Sequence, residues 1–258
     1  LTPQEIFFYR FLIAYLGIWV ISPKRLFTNN WQDELWLVAG GIFGGSLYFF
    51  TENTALGITQ ASNVSFIICT APLLTTILSL LFYKSEKASK GLIYGSLLAL
   101  MGVGLIVFNG SFVLKISPIG DLLTLLAALS WAFYSLIIKK MAGRYPTIFI
   151  TRKIFFYGVL TILPAFLLHP LHPDTAVLLQ PAVLFNLLFL AVLASLICYV
   201  LWNVVLKQLG TVRASNYIYL NPLVTMIASF LILDEKITLV ALGGAACIVC
   251  GIYWAEKK

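Results

Sequence analysis

Apolar residues run in long blocks along this chain, broken by short clusters of polar and charged positions. A membrane-spanning helix needs about 20 mostly apolar residues. Nine stretches meet that length: 4–21, 35–54, 61–83, 91–109, 119–138, 146–168, 182–206, 214–233 and 237–255. Within them polar positions do not alternate with apolar ones, as a membrane β-barrel would require. The connections are short. The longest, from Leu168 to Pro181, reads LHPLHPDTAVLLQP and leaves no room for a soluble domain. The pattern predicts an all-α integral membrane protein with nine spans.

Composition agrees. Of 258 residues 60% are hydrophobic and 10% charged, whereas a soluble domain carries about 25% charged residues. The net charge of +7 does not mark a nucleic-acid binder, because the basic residues form no patch. They fall between the apolar runs and sort by side. One alternate set of connections holds twelve Lys and Arg, including Lys24, Arg25, Lys139, Lys140 and Arg144; the opposite set holds Lys115 and Lys236. Basic residues mark the cytoplasmic side, so the C-terminus is expected inside and Leu1 outside. An outer N-terminus implies a helix ahead of Leu1, and hence ten spans with both ends inside.

The chain also compares with itself. TAPLLTTILSLLFYKSEK around Pro72 resembles LNPLVTMIASFLILDEK around Pro222, and Gly95 and Gly102 stand 149 residues before Gly244 and Gly251. Asn53 and Asn203 match at 150, and Pro3 and Arg10 match Pro146 and Lys153. The run 119–140 lacks a partner in the first half, which again points to one missing first helix. Five spans per copy force the copies into opposite orientations. The fold expected is two inverted five-helix repeats, 1–110 and 111–258, an arrangement that marks transporters with a site near the midplane.

Several stretches resemble a known family: ALGITQASN…APLLTTILSLLFYKSE, YVLWNVVLKQLGTVRASNYIYLNPLVTMIASFLILDEK, GDLLTLLAALSWAFYSLIIKK, and the closers GSLLALMGVGLIVF and GGAACIVCGIYW. They are similar to EamA-type members of the drug/metabolite transporter superfamily. YKSEK stands where LGE is common, which weakens a role for Glu86. The resemblance implies a carrier of the bacterial inner membrane that exports small metabolites, such as amino acids or organic cations, in exchange for protons. It also implies alternating access around a cavity between the repeats. A homodimer is among the assemblies left open.

Glu52 is the leading candidate for chemistry. An ionisable residue inside a span is costly and is read first as functional. Tyr48 lies one turn away on the same face and Asn53 beside it. The matched helix carries Ser195, Tyr199 and Asn203 as a stripe, bordered by Trp202. Trp131 and Tyr134 in one neighbouring span, and Tyr219 and Asn221 beside Pro222 in another, complete an expected aromatic and polar wall suited to a small organic ligand. The same residue types also serve as interfacial belts and helix-to-helix bridges.

Other features are read as structural. Asn63 with Pro72, and Asn216 with Pro222, are places where a helix is expected to break. Gly40, Gly41, Gly44 and Gly45 form a close-packing face. Arg10, Arg152 and Lys153 are read as interfacial anchors, Arg10 with Glu5 as an alternative partner. His169, His172 and Asp174 are too few for a convincing metal site. Cys247 and Cys250 have CxxC spacing without polar surroundings and read as small packing residues. No cofactor is expected. The chain has no P-loop or hydrolase motif, so intrinsic ATP drive is excluded and an ion gradient must do the work. An intramembrane enzyme would need paired acids or a metal cluster that is not there. A lipid-handling or non-transporting subunit is the other rival.

Overall fold

The computed structural model describes residues 1–23, 27–83, 89–108, 117–168, 170–171, 175–233 and 237–257. Glu86, His169, His172, Asp174 and Glu235 lie outside them. The described residues form helices joined by short links. In chain order these are α1 (Pro3–Ile21), α2 (Trp31–Gly41), α3 (Leu47–Ile58), α4 (Ala61–Ile68), α5 (Ala71–Phe82), α6 (Lys90–Phe108), α7 (Pro118–Ala142) and α8 (Thr147–Ile162). There follow two short turns, α9 (Ala165–Leu168) and α10 (Thr175–Leu178), then α11 (Pro181–Leu188), α12 (Cys198–Leu209), α13 (Thr211–Asn216), α14 (Asn221–Leu233) and α15 (Leu239–Glu256).

Eight of the described helical runs are long and apolar enough to cross a membrane. The expected span 35–54 is the one that falls short. Its residues do form a continuous run, α2 passing into α3 through the π-helical segment Ile42–Ser46. Four glycines, Ser46, Thr51, Glu52 and Asn53 dilute its apolar character. A second π-helical segment, Phe189–Ile197, joins α11 to α12. The offset of about 150 residues that relates the two halves brings these segments into register. Such π segments are uncommon and concentrate at functional sites.

Both predicted helix breaks are present. α4 stops at Ile68 and α5 starts at Ala71, with Pro72 in its first turn. The Thr70 hydroxyl donates to the Ile67 carbonyl at 2.7 Å, so the break satisfies a freed acceptor locally. In the second half a 3₁₀ turn, Tyr217–Leu220, separates α13 from α14, whose second residue is Pro222.

The helices gather into two compact units, each drawing on both halves of the sequence. The first comprises Leu1–Asn53 and Phe133–Gln208. At its centre α8 is buried almost all round, from Phe149 through Phe155 to Ile162. α1, α2 and the first π segment pack against it. Gly41 and Gly45 allow the approach: a β-carbon on Gly41 would lie 2.5 Å from that of Tyr157, and one on Gly45 3.3 Å from the Gly158 Cα. The expected glycine face is therefore a contact face. Phe11, fully buried, packs edge-on against Phe155, Phe49 and Tyr199.

The second unit comprises Thr54–Ala132 and Leu209–Lys258. Its spine is the pair α6 and α15, in close contact along their length. Gly95 meets Gly251 and Gly102 meets Gly244, so the two closing helices run antiparallel, as inverted repeats require. Cys247 belongs to this seam, its β-carbon 2.9 Å from where a side chain on Gly102 would start. Cys69, Ala99, Val103, Tyr219, Ile248 and Ile252 form the apolar core beside it. Large apolar side chains such as Leu81, Phe82, Leu231 and Leu239 remain exposed, and a bilayer is the medium that covers them.

Candidate functional site

The first unit gathers most of the predicted site. α12 presents its stripe through the second π segment: Ser195, Tyr199 and Asn203 are all buried. Each has a partner on another helix. The Tyr199 hydroxyl donates to the Gly44 carbonyl at 2.6 Å. That carbonyl lies within the first π segment, where the ordinary helical ladder is disturbed. The Tyr134 hydroxyl, on α7, donates to Asn203 Oδ1 at 2.7 Å, and Asn203 Nδ2 donates to Thr151 Oγ1 at 2.9 Å. Gly44 faces the Tyr134 ring so closely that a β-carbon there would lie 2.2 Å from it. The rings of Tyr134 and Tyr199 stand 6.0 Å apart. Trp202 borders this group, half-buried.

On α3 the Tyr48 hydroxyl donates to Glu52 Oε1 at 2.9 Å. Glu52 and Asn53 are half-buried. The structure adds a residue that sequence reasoning had placed elsewhere. Arg10, half-buried, does not pair with Glu5. Glu5 instead closes a capping box with Thr2 at the start of α1. Arg10 Nε donates to the buried Ser195 Oγ at 2.9 Å, and its guanidinium lies 4.4 Å from the centre of the Phe49 ring. Its charge acts on Glu52, Tyr48 and Tyr199. Arg10 and Ser195 are 185 residues apart, so no local signal reveals the pairing.

Arg152 and Lys153, read as interfacial anchors, have partners that the sequence did not reveal. Both are buried in the protein and bonded to other helices or their ends. The Arg152 guanidinium donates to the Ser22 carbonyl. Lys153 forms an ion pair with Glu34, which also accepts from Tyr157 and from the Thr28 hydroxyl and backbone amide. Nearby, Asp33 accepts from Arg144 at 2.5 Å and Tyr145 at 2.8 Å. These pairs tie the first turn of α2 to the end of α7 and to α8. Glu34 precedes the apolar run that starts at Leu35. Desolvation pushes its pKa up, but the bonds from Lys153, Thr28 and Tyr157 outweigh it and hold the carboxyl at about 2.

Trp131, Tyr219 and Asn221 belong to the second unit. Trp131 is half-buried and Asn221 exposed at the start of α14. Tyr219 is fully buried in the apolar core, its hydroxyl near Ser96. Ser96 Oγ in turn donates to Asn216 Oδ1 at 3.4 Å.

Apolar spanning helices, an antiparallel glycine seam between matched helices and a buried polar cluster between spans define a multi-pass membrane transporter of inverted-repeat construction. Comparison with known proteins places it further. The model of the EamA-like transporter family matches residues 1–108 and 118–255, and the chain belongs to that family. It is 29% identical to an uncharacterized transporter of Archaeoglobus fulgidus, over all of this chain and 89% of that one. It is 24% identical to a protein of Escherichia coli described as a probable amino-acid metabolite efflux pump, over 94% of this chain and 81% of that one. A solved crystal structure superposes with a TM-score of 0.81 at 18% identity, covering 99% of this chain and 88% of that chain, and shares the fold. The protein is therefore a transporter and not an enzyme; it sits in the lipid bilayer and takes small substrates.

Proposed function

We propose that the protein is a secondary carrier that exports small metabolites, amino acids or organic cations, in exchange for protons. The two repeats, 1–110 and 111–258, alternate access to a central cavity. Glu52 is the site that holds a proton or a substrate ammonium group. Tyr48, Asn53, Trp131, Tyr134, Tyr199, Trp202, Asn203, Tyr219 and Asn221 supply the wall. The protein lies in a bacterial inner membrane with its C-terminus cytoplasmic.

One observation carries the reading. Glu52 is the one charged residue of the run 35–54, with Tyr48 as its hydrogen-bond partner and the charge of Arg10 in range. A spanning helix that retains such a group incurs a cost that function must offset. Support also comes from the in-register π segments, which flank Tyr48 and Tyr199 in matched places, and from the E. coli relative described as an amino-acid metabolite efflux pump. The orientation is supported by the twelve-to-two distribution of basic residues. It is also supported by the hydrogen bond from the Asn29 amide to Tyr145 Oη at 3.0 Å, which joins two connections that the charges put on one side.

The test uses inside-out membrane vesicles with the full-length protein, labelled amino acids and small organic cations, with and without an imposed proton gradient. Gradient-dependent accumulation is expected, and Glu52→Gln is expected to abolish its pH dependence. Unchanged pH dependence in Glu52→Gln refutes the role given to Glu52. Accumulation that ignores the gradient refutes proton coupling.

A further inference from the structure

Arg10 is used only in part by the protein. A guanidinium has five N–H donors in a planar fork matched to a carboxylate. Here Nε alone donates within the described residues, to Ser195. That bond and the Phe49 ring beneath the guanidinium fix the plane of the fork and leave its outer edge, the two Nη groups, available. A cation over an aromatic face is held by the ring's negative charge, but that face offers no acceptor for N–H groups. An arginine so placed inside an apolar span is expensive to retain unless something accepts from it.

The opposite charge is close but not in contact. Glu52 and Arg10 feel each other electrostatically, yet no ion pair or hydrogen bond joins them. Glu52 spends one oxygen on the Tyr48 hydroxyl. Two opposite charges that could neutralise each other directly are instead held apart, each by its own neutral partner. A ligand with an anionic and a cationic group a few atoms apart would satisfy both at once.

We propose that Arg10 is the carboxylate-recognising residue of the carried substrate and Glu52 the ammonium-recognising one. The carrier thereby selects zwitterions over simple organic cations. Ser195 and Phe49 position the Arg10 fork. This rests on the carrier reading above and narrows its two substrate classes to one.

The test uses full-length protein in proteoliposomes. The probes are labelled L-threonine, its methyl ester, which lacks the carboxylate, and its N-acetyl derivative, which lacks the ammonium. Wild type is expected to prefer threonine over either derivative by about tenfold or more, because a site built for a polar group rejects the analogue without it. In Arg10→Gln the preference over the ester collapses toward one while the preference over the N-acetyl compound persists. Arg10→Lys, which keeps the charge but loses the fork, restores part of the preference. Ser195→Ala, which removes a positioning hydroxyl and leaves every charge, lowers it. Monodisperse elution in detergent verifies that each variant folds. If Arg10→Gln lowers transport of acid and ester equally, Arg10 is merely structural and the proposal falls. If wild type carries the ester as readily as threonine, the Arg10 subsite falls and the carrier stands. If folded wild type carries none of these probes, the same proteoliposomes are given the wider panel of amino acids and organic cations: uptake of cations alone sinks the Arg10 subsite and leaves the carrier standing, and uptake of nothing sinks both.

Discussion

Gly95 packs directly against Gly251: a β-carbon on the first would lie 2.4 Å from the second's carbonyl oxygen, and one on the second 2.5 Å from the first's. Gly102 and Gly244 repeat the relation at 2.5 and 2.7 Å. By the internal repeat, Gly95 corresponds to Gly244 and Gly102 to Gly251. Each glycine therefore meets the counterpart of its neighbour, which is the signature of two copies related by an antiparallel two-fold arrangement. With lipid on the outer faces, the helix pair has no hydrophobic drive toward contact. Close approach and van der Waals packing hold it instead.

Substitution at this seam should be costly in proportion to how rigid the obstructing atom is. Gly95→Ala and Gly251→Ala meet backbone, which cannot rotate away, so each should destabilise by at least the ~1–3 kcal/mol typical of overpacking. Gly243→Ala on the same helix meets nothing within 4 Å. It should be neutral or slightly stabilising, since alanine is the better helix former. Thermal unfolding in detergent, followed by helix signal, measures all three. Equal melting temperatures for Gly95→Ala and Gly243→Ala would contradict the packing described.

Much of this was legible beforehand. A run of about 20 apolar residues has few alternatives, and proline, tolerated in a helix's first turn but not in its interior, makes Pro72 and Pro222 markers of a helix start. The stripe Ser195–Tyr199–Asn203 follows from helical spacing alone. What stayed hidden depends on contacts between distant segments. Arg10 looked like an anchor because its neighbours in sequence are Tyr9 and Phe11; its real partner comes from the other half. The burial of Lys153 was hidden because its partner, Glu34, stands 119 residues earlier. The π segments left no mark at all: Phe189–Ile197 reads as an ordinary apolar helix. The division into two compact units likewise ignores the sequence halves, because each unit draws helices from both.

The hydrogen bond from Tyr134 to Asn203 is buried on both sides, and it should show as a coupling. Tyr134→Phe leaves the Asn203 carbonyl oxygen short of a donor. In membrane proteins such interhelical bonds contribute about 0.6 kcal/mol on average and up to about 1.7. Buried and charge-free, this one should fall within that range in a double-mutant cycle of Tyr134→Phe with Asn203→Leu. A coupling indistinguishable from zero would mean the two side chains do not meet in the folded protein.

Gly44 should matter for transport more than for folding. A β-carbon there would lie 2.2 Å from the Tyr134 ring, which must shift to admit it, but the obstruction is a side chain rather than backbone and the Gly44 carbonyl still accepts from Tyr199. Gly44→Ala should therefore fold, elute as wild type and transport poorly. Gly57→Ala, with open space around it, should transport normally. Substrate flux per folded molecule separates the two outcomes; equal flux would remove Tyr134 from the substrate path.

The Glu34–Lys153 pair gives a pH dependence with a definite sign. The Glu34 carboxyl is held at about 2, below its ordinary 4.5. Its contribution is thus complete above about pH 4.5 and is lost as pH falls from there through about 2. Wild type should lose melting temperature across that acid window faster than Glu34→Gln, in which nothing titrates at this position. At neutral pH the order reverses, with Glu34→Gln the less stable protein. Removing one partner leaves Lys153 charged and buried, a loss that costs about 3–5 kcal/mol in water-soluble proteins. Replacing both, as in Glu34→Gln with Lys153→Met, should recover part of the stability, because the remaining buried charge is gone. Melting curves of the three proteins between about pH 2 and 7 decide the matter. Parallel curves for wild type and Glu34→Gln through the acid window would show that the pair does not anchor α2 to α8.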